Sequence, residues 1–91
     1  MRFTVTRLCG GRALMMIPRE DIRIDIELAA ERLQDFTEEV RTDGAMVICN
    51  WRGMEMTVYE PGKVMLFPLK ERLEGIKYAK EVLERLSDCR I

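Results

Sequence analysis

The sequence predicts an α+β fold in a single domain over residues 1–91: a mostly antiparallel sheet with two helices packed on one face, in the order ββαβββα. Three observations carry this. Five short runs rich in Val, Ile, Met, Phe and Thr are divided by glycine-bearing turns. Two longer stretches place their apolar residues at helical spacing, not in alternation. The length of 91 residues, with 47% hydrophobic and 34% charged content, suits one globular core and is too short for two.

In chain order, residues 3–8 and 12–17 are apolar runs joined by Gly10-Gly11. Two glycines tolerate the positive φ of a tight turn, so this segment predicts a β-hairpin, ended by Pro18. Residues 19–25 form a polar connection, with Asp25 placed to cap a helix. From Ile26 to Val40 the pattern is amphipathic. Ile26, Ala29, Leu33, Phe36 and Val40 line one side, while Glu27, Glu31, Asp35, Glu38 and Glu39 fall within a third of the circumference on the other. Asp43-Gly44 closes this region. Three strands follow at 45–51, 54–60 and 63–68, separated by the turn signals Arg52-Gly53 and Pro61-Gly62. A second helix over about 70–87 is expected to bury Leu73, Ile76, Ala79, Leu83 and Leu86. Gly75 weakens its first turn by roughly 1 kcal/mol relative to alanine.

Two-residue turns would put Val47, Cys49, Trp51, Met54, Met56, Val58, Met65 and Phe67 on one face of the sheet. Ile48, Glu55, Thr57, Tyr59, Val64 and Leu66 would then lie on the other. A one-residue bulge at Pro61-Gly62 swaps the faces of the last strand. In either register the face away from the helices keeps several large apolar groups, the mark of a partner or ligand surface. The expectation is a homodimer through this uncovered face, or an apolar ligand on it.

No apolar run approaches the ~20 residues of a membrane helix. The first residues, Met1-Arg2-Phe3-Thr4-Val5-Thr6, read as a strand and not as a signal peptide. The three cysteines, Cys9, Cys49 and Cys89, are odd in number and form no CxxC pair, which points to reduced thiols in the cytoplasm. The chain has no histidine, so the commonest general base and transition-metal ligand are missing. Gln34 and Asn50 are the only side-chain amides, and with abundant Glu and Arg this is a thermophile's composition.

The net charge of −1 offers no general attraction for nucleic acid or an anionic membrane, yet charge is unevenly spread. Residues 1–19 carry Arg2, Arg7, Arg12 and Arg19 and no acid; residues 20–43 carry nine acids against three arginines. The plain reading is that the basic N-terminal strands neutralise the acidic helix within the molecule. The alternative is a cation. A helix C-terminus presents free carbonyls and the negative end of the dipole, and Glu38, Glu39 and Asp43 would sit there as hard oxygen ligands for Ca²⁺ or Mg²⁺. No EF-hand spacing is present, and a merely solvated acidic face accounts for the same residues.

Cys9 lies in a turn between Arg7 and Arg12, but nucleophilic catalysis also needs a base that no histidine supplies. Cys49 reads as a core residue and Cys89 as part of a fraying tail. Gly10-Gly11-Arg12 is followed by a strand and not by a helix, so it reads as a hairpin turn and not as a phosphate loop. Trp51 and Tyr59 read as packing residues.

The segment Thr57-Val58-Tyr59-Glu60-Pro61-Gly62-Lys63-Val64-Met65, followed by Lys77-Tyr78-Ala79 and Val82-Leu83-Glu84-Arg85-Leu86, resembles one repeat of the TATA-box-binding protein family over about 50 residues. That resemblance implies a strand, a Gly-Lys turn, a second strand and a Lys-Tyr-Ala helix. It also implies nucleic-acid-facing positions at Glu55, Thr57, Tyr59, Met65 and Phe67. As a whole the chain resembles small α+β proteins of thermophilic methanogenic archaea, a group that carries no activity to transfer. The expected function is therefore that of a small non-enzymatic binding or interaction protein, with a divalent cation or small ligand at the acidic region. A nucleic-acid-binding module is the alternative.

Overall fold

The computed structural model describes residues Met1–Ile91. The Cys9–Gly11 turn folds β1 (Phe3–Leu8) back on β2 (Ala13–Pro18), as the glycines require: Gly10 and Gly11 take φ of 67° and 87°. Asp25 then caps α1 (Ile26–Leu33), its carboxylate accepting from the Leu28 amide at 3.2 Å. β3 (Glu38–Asp43), β4 (Met46–Trp51), β5 (Met54–Tyr59) and β6 (Val64–Phe67) follow, and α2 (Arg72–Arg85) completes the set. The six strands form one antiparallel sheet in the order β1-β2-β6-β5-β4-β3. The α+β architecture is as expected, with one strand more than the sequence indicated.

That extra strand corrects the first helix. α1 ends at Leu33, not at Val40, and Glu38–Asp43 is extended. Thr37 closes the helix with both its amide and its hydroxyl on the Leu33 carbonyl, at 2.8 and 2.7 Å, satisfying an acceptor the last turn leaves open. Phe36 and Val40 still pack against the core, one from the turn and one from the strand. Asp43-Gly44 is the start of the β3–β4 hairpin connection, with Asp43 paired to Met46.

Both helices lie on one face: α1 over β3 and β4, α2 over β1 and β2. Their side chains share a single core with Leu14, Met16, Val47, Cys49, Trp51, Met54, Met56, Val58, Val64 and Leu66. The shortest dimension, 21 Å, fits one sheet and one layer of helix. Arg52-Gly53 forms the expected two-residue turn, both residues at positive φ (54° and 79°), which joins Trp51 to Met54. The β5–β6 turn is the bulged alternative. Tyr59 N–H donates to Lys63 C=O, leaving three residues in the loop, so Val58 pairs with Val64 and Met56 with Leu66. Val64 and Leu66 therefore face the helices, and Met65 and Phe67 face away.

Two further readings are corrected. Leu73 is 70% exposed, because α2 starts beyond the sheet and its close approach falls at Gly75. An ideal Cβ on Gly75 would stand 3.0 Å from Met16 Sδ and 3.1 Å from Leu14 Cδ1. Cys89 does not belong to a fraying tail but to the core, at 1% exposure. The terminal segment is tied down by Asp25 N–H to Cys89 C=O and Ile91 N–H to Arg23 C=O, around an Ile24–Arg90 bridge.

The sheet's two edges differ. β1 pairs with β2 in unbroken register along six residues. β3 carries a bulge between Glu38 and Arg41, with Glu39 at φ 54°, and four of its six side chains are charged. Charges and bulges are the usual guards of an edge strand. No helix is long and apolar enough to cross a membrane.

Candidate functional site

With both helices on one side, the opposite face of the sheet has no element over it. Its middle row can be followed through all six strands by register: Thr6, Met15, Met65, Thr57, Ile48, Arg41. Below it lie Thr4, Ile17, Tyr59, Met46 and Asp43; above it, Leu8, Ala13, Phe67, Glu55, Asn50 and Glu38. Met15, Ile17, Met46, Ile48, Tyr59, Met65 and Phe67 are each half-buried. Thr57, only 3% exposed, is roofed by its neighbours alone. The result is a continuous methionine-rich apolar band, able to adapt its shape to a partner.

Charge frames this band. Arg12 stands over the Phe67 ring at 5.9 Å and Lys63 over the Tyr59 ring at 5.0 Å. The Arg19 amide bonds to the Arg2 carbonyl, continuing the β1–β2 ladder, so alternation places both residues on the uncovered side. At the far edge Glu39 accepts from Asn50 Nδ2 at 2.6 Å, beside Glu38, and Asp43 lies opposite Met46.

The basic strands do not neutralise the acidic segment. β1 and β2 form one edge of the sheet, while β3 with α1 above it forms the other. The molecule's ion pairs are Arg23–Glu60 at 3.9 Å, Arg32–Asp88 at 2.7 Å and Arg52–Glu81 at 2.6 Å; none uses Arg2, Arg7, Arg12 or Arg19. The chain is a plate with a basic side and an acidic side.

The cation site expected at Glu38, Glu39 and Asp43 is not assembled. Its premise was a helix C-terminus, and these residues are on a strand. Glu38 and Asp43 sit at opposite ends of β3, about 16 Å apart at the strand rise of ~3.3 Å per residue. No group of three or more His, Cys, Asp or Glu side chains is placed to hold a metal ion.

One polar cluster escaped the sequence reading. Arg52 donates to both carboxylate oxygens of Glu81, at 2.6 and 3.1 Å, and lies 4.2 Å from the Trp51 ring and 5.5 Å from that of Tyr78. Trp51 meets Phe36 and Tyr78 edge to face, and Arg85 covers Phe36 at 4.5 Å. The Arg52–Glu81 pair and the stacked rings hold these groups against one another, which marks a clamp between the sheet and α2. The spacing of Tyr78 and Glu81, three apart on one helix face, was the available signal.

Protonation is displaced at four groups in structural positions. The hydrogen bond from Arg32 holds the Asp88 carboxyl below its ordinary range, and Asp88 in turn raises Arg32. Burial pushes the Cys49 thiol up and the Cys89 thiol to about 11. These four groups line none of the surface grooves. Cys9 is exposed in the β1–β2 turn, and its sulfur makes no hydrogen bond. Nothing here pairs a nucleophile with a base. Compared with protein families, curated proteins and solved structures, the chain matches none.

Proposed function

We propose that this is a small non-enzymatic interaction protein that works through the uncovered face of its sheet and takes a second copy of itself as partner. The carrying observation is the apolar band of Met15, Ile17, Met46, Ile48, Met65 and Phe67, with nothing packed over it. Six strands at ~4.8 Å spacing and six residues at ~3.3 Å rise give this face roughly 550 Å². Two such faces cover roughly 1,100 Å², the low end for a specific interface, so the pair is weak and reversible. The three free thiols suit a reducing compartment, and we place the protein in the cytoplasm.

Sedimentation equilibrium across micromolar to millimolar protein tests this. The weight-average mass should climb from 10.7 kDa toward twice that value. Met65→Glu, at the centre of the band, should hold the chain monomeric, while Leu73→Glu, on the exposed side of α2, should change nothing. A wild-type chain that stays monomeric throughout overturns the reading.

A second reading rests on the same face. Glu55, Thr57, Tyr59, Met65 and Phe67, the positions implied by the TATA-binding resemblance, stand on it together. Binding of a short duplex, with affinity that falls steeply as salt rises, would favour that alternative.

A further inference from the structure

We infer that the two copies stack face to face about a two-fold axis running along the strands, so that the basic β1–β2 edge of each covers the acidic β3 edge of the other. This rests on the self-association proposed above. It is carried by a separate observation, the placement of charge at the corners of the face.

Two in-plane axes stack identical sheets with their strands aligned. An axis across the strands turns the face end over end and lays β1 on β1. An axis along the strands keeps each end in place and lays β1 on β3. The register fixes which charges share an end. Leu8 and Ala13 end the β1–β2 hairpin beside Arg12, and Phe67, Glu55, Asn50 and Glu38 continue that end across the sheet. Arg2 and Arg19 lie at the opposite end, the end where Asp43 pairs with Met46.

Under the axis along the strands, Arg12 comes over Glu38, Glu39 and Glu55 of the second copy, and Arg2 and Arg19 come over Asp43. Each match occurs twice. Under the axis across the strands, Arg12 comes over Arg2 and Arg19, while Glu38 and Glu39 come over Asp43. Like charge then meets like at every corner, and like-charge juxtaposition is a strong discriminator between binding modes. The first arrangement makes two unfavourable meetings, Lys63 and Glu55 each with its own copy beside the axis, where single flexible side chains can swing aside. The four N-terminal arginines lack an ion pair within the chain, and this pairing supplies partners for three of them.

Thiol cross-linking in a Cys9→Ser background, with a short bifunctional maleimide, reads the axis directly. Met65→Cys lies near the centre under either axis and should link to itself. Thr6→Cys and Arg41→Cys, at the two ends of the middle row, should each stay unlinked alone and link to one another when mixed. Mixed linkage should also fade as salt rises, since rim charges are screened. If Thr6→Cys links to itself and the mixture does not, the inferred axis is wrong and self-association stands. If Met65→Cys fails to link at concentrations where the mass has doubled, the face itself is wrong. If the mass never rises, the parent reading fails.

Discussion

Gly75 sits where α2 crosses β2, and replacing it by alanine sets two known quantities against each other. Glycine costs a helix interior about 1 kcal/mol relative to alanine, so Gly75→Ala gains that much from the backbone alone. The added methyl would stand 3.0 Å from Met16 Sδ and 3.1 Å from Leu14 Cδ1. Both neighbours are fully buried, so neither can relieve the contact by turning into solvent. Overpacking of this kind costs about 1–3 kcal/mol, and the net should be a loss of up to about 2 kcal/mol. In a Met16→Val background the contacting sulfur is gone, and the same Gly75→Ala change should be more favourable by about 1 kcal/mol. Urea unfolding of the four chains gives this coupling from the midpoints, provided the slopes agree. If Gly75→Ala stabilises by about 1 kcal/mol in both backgrounds, the helix does not lie as close to the sheet as described, and the account of Gly75 is refuted.

Three other outcomes follow from the geometry. Arg52→Asn keeps a residue tolerant of the left-handed turn conformation but deletes the bidentate pair to Glu81 and the stacking on Trp51. It should cost about 1–2 kcal/mol, whereas Arg23→Ala, which loses a 3.9 Å exposed pair, should stay within about 0.5 kcal/mol by the same urea assay. The unfolded Cys89 thiol ionises near 9 and the folded one at about 11, so between these values the folded chain binds more protons. Stability is therefore full below pH 9 and falls by roughly 2–3 kcal/mol as pH rises to 11; Cys89→Ala should flatten that decline in chemical denaturation scans. Titration with millimolar Ca²⁺ or Mg²⁺ should leave the amide shifts of Glu38, Glu39 and Asp43 in place, and a saturable shift shared by all three would refute the separation argued from β3.

The parts of the fold that were legible in the sequence are those decided locally. Arg52-Gly53 supplies the positive φ pair its hairpin demands, and Asp25 is an acceptor one residue before an amphipathic run. The stretch from 34 to 43 was not legible because Phe36 and Val40 satisfy helical spacing while serving equally well in a turn and a strand. The competing signal was the β-branched set Thr37, Val40 and Thr42. Pro61-Gly62 announced a turn but not its length, and the third loop residue decides the face of Met65 and Phe67. Cys89 was misread because the groups that bury it, around Ile24 and Asp25, are more than sixty residues away in the chain. For the site, the apolar uncovered face was readable from alternation alone. The separation of charge to opposite edges was not, since it depends on strand order.

The guard on β3 limits which rim of the sheet a further strand could extend. An open sheet with one basic and one acidic rim invites its copies to join edge to edge, β1 of one beside β3 of the next, and such head-to-tail addition has no natural stopping point. The left-handed kink at Glu39 and the crowd of charged side chains around it spoil the template on which the next strand would have to lie. Sideways addition at this rim is thereby disfavoured, and the face-to-face pair proposed above, once closed by its two-fold axis, would have no second flat side to offer.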